Sequence, residues 1–71
     1  MAKIGNMNGI TIIGAGSWGT CIAIAIAENN PNITVKLWAF EKTVTNSINR
    51  NRENTIYLPG FLLPRNISAT S

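Results

Sequence analysis

Gly14-Ala15-Gly16-Ser17-Trp18-Gly19 carry most of the chemical information in this 71-residue chain. They match G-x-G-x-x-G, a pattern too short to mean much alone. It gains meaning when it leaves a strand and opens a helix within a β-α-β unit of about 30 residues. In that setting each glycine has a task. Gly14 permits a tight turn, Gly16 lets the backbone approach a pyrophosphate, and Gly19 lets the helix pack against the strand. The N–H groups of residues 16–19 then point at the phosphate, whose charge the helix macrodipole favours. The plainer alternative is a glycine-rich strand-to-helix turn used only for packing.

The flanking elements supply that setting. Gly9-Ile10-Thr11-Ile12-Ile13 is a short β-branched run, apolar enough for a strand covered on both faces. Thr20 to Asn30 is free of Gly and Pro and ends in Asn-Asn-Pro, the expected stop of a helix. Its core, Ile22-Ala23-Ile24-Ala25-Ile26-Ala27, alternates with period two, yet both phases are apolar. Alanine is the best helix former, and small residues let a helix sit close to a sheet, so helix is the better reading. Ile33 to Trp38 reads as the second strand and Glu41 to Asn51 as a second helix, with Val44 and Ile48 on one face. From Glu53 the chain reads as irregular, with Pro59-Gly60 as a turn, and Asn66 to Thr70 as a third strand. Residues 1–8 read as a polar lead-in. The order β-α-β-α-β predicts an α/β fold, a partial Rossmann-type unit with a parallel sheet and right-handed crossovers.

The rest of the fingerprint is less regular. An acid ending the second strand would hold the ribose hydroxyls of a dinucleotide. After Trp38 come Ala39, Phe40 and only then Glu41, which is either a ribose contact or the acid that starts the next helix. Phe40 either lies against an adenine or caps the strand. Lys42 either meets a 2′-phosphate or is solvated. Trp18 either flanks the phosphates or fills space beneath the loop. Cys21 reads as a buried small residue, Trp38 and Tyr57 as packing residues, and Arg50 and Arg52 as a solvated helix face.

Composition excludes other classes. One Cys and no His rule out an internal disulfide and a Cys/His zinc cluster. The formal charge of +3 comes from basic residues scattered along the chain, so no nucleic-acid-binding patch is expected. The longest apolar run, Ile22 to Ala27, is far short of the ~20 residues that span a bilayer, so no membrane partner is expected. No signal peptide is readable, and a cytoplasmic location is expected. The sequons at Asn32 and Asn66 read as chance products of an Asn-rich chain. A chain this short buries only about 60% of its unfolded surface, which suggests a piece of something larger.

The assembled motifs resemble the N-terminus of the NAD(P)-dependent glycerol-3-phosphate dehydrogenases. The similarity runs through Ile13 to Thr20, Val35 to Glu41, Ile48-Asn49, Glu53-Asn54, Tyr57-Leu58-Pro59-Gly60 and Leu63 to Ile67. Phe40 resembles the eukaryotic NAD-using branch, whereas the Gly-Ala-Gly-Ser-Trp loop looks bacterial. The resemblance implies that residues 1–71 are the first part of an NAD(P)-binding domain. It implies an enzyme that interconverts glycerol 3-phosphate and dihydroxyacetone phosphate for glycerophospholipid synthesis, with NAD or NADP as cofactor. It implies cofactor contacts from Gly14, Ala15, Gly16, Ser17, Trp18, Gly19 and Phe40. The family's catalytic lysines lie downstream, and Lys3, Lys36 and Lys42 do not match their motif. No catalytic or metal-binding residue is therefore expected in this segment, which alone should be inactive. A phosphorylated small molecule is the expected substrate of the full enzyme, for which a homodimer is compatible. The alternatives are another dehydrogenase of 3-hydroxyacid or 6-phosphogluconate type, or a non-catalytic dinucleotide-binding fragment.

Overall fold

The computed structural model describes residues 9–71; the expected lead-in at 1–8 lies outside them. In chain order the elements are β1 (Gly9–Ile13), α1 (Ser17–Asn29), β2 (Thr34–Trp38), α2 (Lys42–Asn51), β3 (Glu53–Asn54), β4 (Leu58–Leu62) and β5 (Ile67–Thr70). Strands β1, β2 and β5 form a parallel sheet in the order β1-β2-β5. The expected β-α-β-α-β unit is present, with a two-stranded antiparallel ribbon, β3-β4, added before its last strand.

Register explains the core. Ile10 pairs with Val35 and Ile12 with Leu37, while Val35 pairs with Ile67 and Leu37 with Ala69. These side chains share one face, because alternate strand residues point the same way. Val35, Leu37 and Ile67 are fully or almost fully buried there against Ala23 and Ala27 of α1 and Val44 and Ile48 of α2. The alternating Ile-Ala run is helical, as expected. Two of its alanines, Ala23 and Ala27, meet the sheet from one helical stripe while Ala25 is exposed, and Ile24 and Ile26 flank the contact.

Several expectations are corrected. β1 is covered on one face only: Ile13 is 74% exposed and Thr11 is exposed. Both crossovers step the same way along the sheet. Right-handedness then places both helices on the same face, leaving the other bare. Cys21 is exposed rather than buried. The sheet-facing positions are Thr20, Ala23 and Ala27, and Cys21 is rotated about 100° from Thr20 around the helix. Pro59-Gly60 is not the turn but part of β4, and the chain reverses at Thr55–Tyr57 instead. An edge strand tolerates Pro59, which has no N–H to donate. Gly60, at φ +90°, turns its own N–H to the Glu53 carboxylate at 2.9 Å.

Arg52 is also not part of a solvated face. It ends α2 in the left-handed region, φ 56°, and its Nη2 donates to the carbonyls of Pro64 and Ile67. Asn49 makes a reciprocal pair with Ala69, Nδ2 to its C=O and Oδ1 from its N–H, each at 2.9 Å. That pairing satisfies the outer edge of β5 at this residue. Asn66 shares the two hydrogens of its Nδ2 among the carbonyls of Ala27, Asn30 and Ile33, at 3.2, 3.1 and 2.9 Å. One side chain thus ties the end of α1 to the start of β2.

The two sequon asparagines therefore differ in structural weight. Asn66→Ala removes the shared amide bonds at a part-buried junction, leaving the Ala27 and Asn30 carbonyls only their bonds from the Asn30 and Ile33 N–H groups, and should lower unfolding free energy by about 1–3 kcal/mol. Asn32→Ala, at an exposed turn residue, should change it by less than about 0.5 kcal/mol. Thermal unfolding of the two variants side by side checks this.

Candidate functional site

The glycine motif sits where all three parallel strands end. Gly14 donates its N–H to the Trp38 carbonyl at 2.9 Å, closing the ladder between β1 and β2. It then turns the chain at φ +111°, a conformation that side chains disfavour. Gly19 is required for a different reason. A Cβ placed on it would lie 1.9 Å from the Gly14 carbonyl oxygen, so the first turn of α1 rests directly on the loop backbone. A Cβ on Gly16 would meet nothing within 4 Å; the space beside it is open.

That first turn leaves donors free. Gly16 is the N-cap and offers no side-chain cap, and the first intrahelical bond runs from Thr20 N–H to Gly16 C=O at 3.0 Å. The amides of Ser17, Trp18 and Gly19 precede it and have no helical partner. No acid stands in the first turn to compete for them. An anion is the natural occupant of such an end.

A cleft of about 270 Å³ adjoins this end. Gly14, Ala15 and Gly16 form one wall; Ala39, Phe40, Glu41 and Tyr57 form the other. Of the seven residues expected at a cofactor, Gly14, Ala15, Gly16 and Phe40 line the cleft. Ser17 and Gly19 stand behind it in α1, and Ser17 Oγ donates to the Tyr57 carbonyl. Trp18 is 79% exposed, which removes the reading of a side chain filling space beneath the loop. Phe40 is 86% exposed and meets Trp38 edge-on, ring centroids 4.7 Å apart at 72°. The contact holds Phe40 at the end of β2, where it also lines the cleft.

Two residues change role. Glu41 is the N-cap of α2 but makes no side-chain cap bond. Its carboxylate instead accepts the Tyr57 phenol proton, Oη to Oε2 at 2.8 Å. Tyr57, expected as a packing residue, is exposed and forms part of the cleft wall. The hydrogen bond to Glu41, then the carboxylate's charge, then desolvation all raise the phenol above its ordinary pKa. Lys42, beside Glu41 in sequence, is exposed and does not line the cleft.

Behind the cleft lies a buried polar cluster that motif reading missed. Asn54, 0% exposed, donates from Nδ2 to the Ala15 carbonyl at 2.8 Å and to Thr20 Oγ1 at 2.9 Å. Its Oδ1 accepts the Tyr57 N–H at 3.1 Å. Ser47 holds the neighbouring chain. Its hydroxyl donates to Glu53 C=O at 2.6 Å, so the Thr55 hydroxyl must be the donor in their 2.9 Å contact. The available signal was an Asn just before a loop, a residue type that often bonds downstream amides.

Two expectations follow from this geometry. Gly19→Ala should cost about 3 kcal/mol or more, since backbone must shift to admit the methyl group. Gly16→Ala should leave stability unchanged or raise it by up to about 1 kcal/mol; denaturant titration distinguishes them. The Tyr57–Glu41 contact needs a protonated phenol and a raised folded-state pKa. Its contribution to folding is therefore complete below pH about 10 and lost as pH rises through that raised value. Glu41→Gln should lower the Tyr57 midpoint, read as the difference in tyrosinate absorbance between variant and parent.

Comparison with known proteins agrees with this geometry. Residues 9–71 match the family described as NAD-dependent glycerol-3-phosphate dehydrogenase N-terminus. Among curated relatives, the chain is 48% identical over 65 residues to glycerol-3-phosphate dehydrogenase [NAD(P)+] of Bacillus mycoides, covering 92% of this chain and 18% of the relative. The enzyme of the same name from Herminiimonas arsenicoxydans is 45% identical over 62 residues, covering 87% and 18%. The chain therefore spans about a fifth of the length of these relatives. The crystal structure of the Coxiella burnetii glycerol-3-phosphate dehydrogenase superimposes with a TM-score of 0.80 at 33% identity, covering 90% of this chain and 19% of that one. The Saccharomyces cerevisiae enzyme gives 0.76 at 39%, covering 90% and 21%. The sheet and helices are thus a Rossmann-type unit, and the chain belongs to the family of the NAD-dependent glycerol-3-phosphate dehydrogenase N-terminus.

Proposed function

We propose that this segment is the cofactor-binding part of a glycerol-3-phosphate dehydrogenase. The whole protein interconverts sn-glycerol 3-phosphate and dihydroxyacetone phosphate with NAD or NADP, supplying the backbone of glycerophospholipids. One observation carries the reading: three amides without a helical partner, Ser17, Trp18 and Gly19, end beside a glycine-walled cleft with open space at Gly16. A diphosphate fits such a place by charge and by steric access.

Gly14, Ala15 and Gly16 would hold the pyrophosphate by their backbone, with the amides of Ser17, Trp18 and Gly19 facing it. Trp18 would flank the phosphates, and the exposed ring of Phe40 would cover the adenine. The bound nicotinamide supplies the hydride acceptor or donor of the redox step. This chain's residues would bind and orient the cofactor; of the lysines among the described residues, neither Lys36 nor Lys42 lines the cleft. Lys36 is exposed on a strand, Lys42 is exposed on α2, and Lys3 lies outside the described residues. Residues 1–71 form the first part of the dinucleotide-binding domain. A cytoplasmic location is consistent with the described residues, which contain no helix long and apolar enough to cross a membrane.

The gene product at its natural length should oxidise glycerol 3-phosphate with NAD or NADP. Turnover of a 3-hydroxyacid or of 6-phosphogluconate in its place would assign a different dehydrogenase. Gly16→Val should raise the cofactor KM at least about tenfold with thermal stability retained, because a branched side chain would enter open space meant for phosphate.

A further inference from the structure

The β3-β4 ribbon reaches both walls of the cleft through two residues. From Asn54, hydrogen bonds run to the Ala15 carbonyl in the loop and to Thr20 Oγ1 in the first turns of α1. From Tyr57, the main chain meets Asn54 Oδ1 by its N–H and Ser17 Oγ by its carbonyl, while its phenol donates to Glu41 in the cleft wall. Thr20 is as completely buried as Asn54. Two hydrogens on one amide nitrogen, aimed at two acceptors on either side of Gly16, define the separation of those acceptors. Gly16 itself has no side chain and no neighbour within 4 Å of its Cβ position to do so.

We infer that Asn54 is a positioning residue for the cofactor loop, with Thr20 as its partner: it sets the angle between the Gly14–Gly16 backbone and the start of α1. Asn54 touches no cofactor atom in this scheme. It acts through Ala15 and Thr20, keeping the loop and the amides of Ser17 to Gly19 aimed at one point. Without it the Ala15 peptide gains rotational freedom, and the amides lose their common target at a cost in affinity. An aspartate cannot substitute at neutral pH, because its carboxylate would face the Ala15 carbonyl with no hydrogen to donate.

The inference rests on the cofactor reading above, and calorimetry separates the two. NADH and NADPH are titrated into the natural-length gene product, and the tighter ligand is then used for the variants, each at a temperature where its circular dichroism shows it folded. Asn54→Ala should raise Kd about tenfold with stoichiometry preserved, the loss of a buried two-bond amide. Thr20→Val, which keeps shape and removes the acceptor, should raise Kd about threefold, and Thr20→Ser should restore the parental value. Steady-state kinetics should show the cofactor KM rising in Asn54→Ala while the KM for glycerol 3-phosphate at saturating cofactor stays unchanged.

An unchanged Kd in Asn54→Ala overturns the inference. Should that variant not fold, an unchanged Kd in Thr20→Val does the same. Both KM values rising together would make Asn54 a general structural residue and also overturn it. A parent that binds neither cofactor overturns the cofactor reading itself, and the loop-positioning role with it.

Discussion

The contact between the Gly14 carbonyl and the first turn of α1 governs the site. No atom beyond a hydrogen fits at Gly19 on that side, since a methyl carbon would fall inside the Gly14 oxygen. Helix and loop are therefore in backbone contact, with no side chain between them. This closeness places the start of α1 over the carboxyl ends of the strands, where open α/β sheets receive their ligands. It also sets the Ser17, Trp18 and Gly19 amides, which precede the first helical bond, beside the glycine loop. A wider spacing would let side chains cover them.

A loop held only by its own glycines would be loose. The parallel sheet anchors one end, through Gly14 N–H to Trp38, and α1 anchors the other. Between those points the support comes from further along the chain, from Asn54 and the Tyr57 backbone. The ribbon that carries them is short, bulged and partly exposed, and Ser47 fastens it to α2. Helix α2 thus serves the cleft indirectly, though it contributes no residue to its wall. The polar links across this region leave no buried side-chain nitrogen or oxygen unpaired among the described residues.

Elements governed by local pattern could be read from sequence. β1, α1, β2, α2 and β5 occur within a few residues of expectation, because β-branched runs, an alanine-rich stretch and an i, i+4 apolar pair each favour one conformation. The glycine spacing likewise located the cleft. What escaped depends on contacts between distant residues. Asn54 meets Ala15, 39 positions away, and no periodicity announces that. Tyr57 was read by its ring, whereas its backbone and hydroxyl do the structural work. Pro59-Gly60 has the composition of a turn, but pairing with β3 draws it into a strand. Cys21 follows the same logic: its burial depended on which helical stripe meets the sheet, a property of packing rather than of residue type.

The bare face of the sheet has a consequence for handling this polypeptide. Thr11 and Ile13 of β1 point outward on a strand whose far edge meets no other strand among the described residues. Phe61 and Leu62 on the ribbon are also exposed. An unprotected edge with β-branched residues on its open side is a template for intermolecular pairing. Expressed as an isolated piece, the molecule should be colloidally fragile, prone to concentration-dependent precipitation even where each copy is correctly folded.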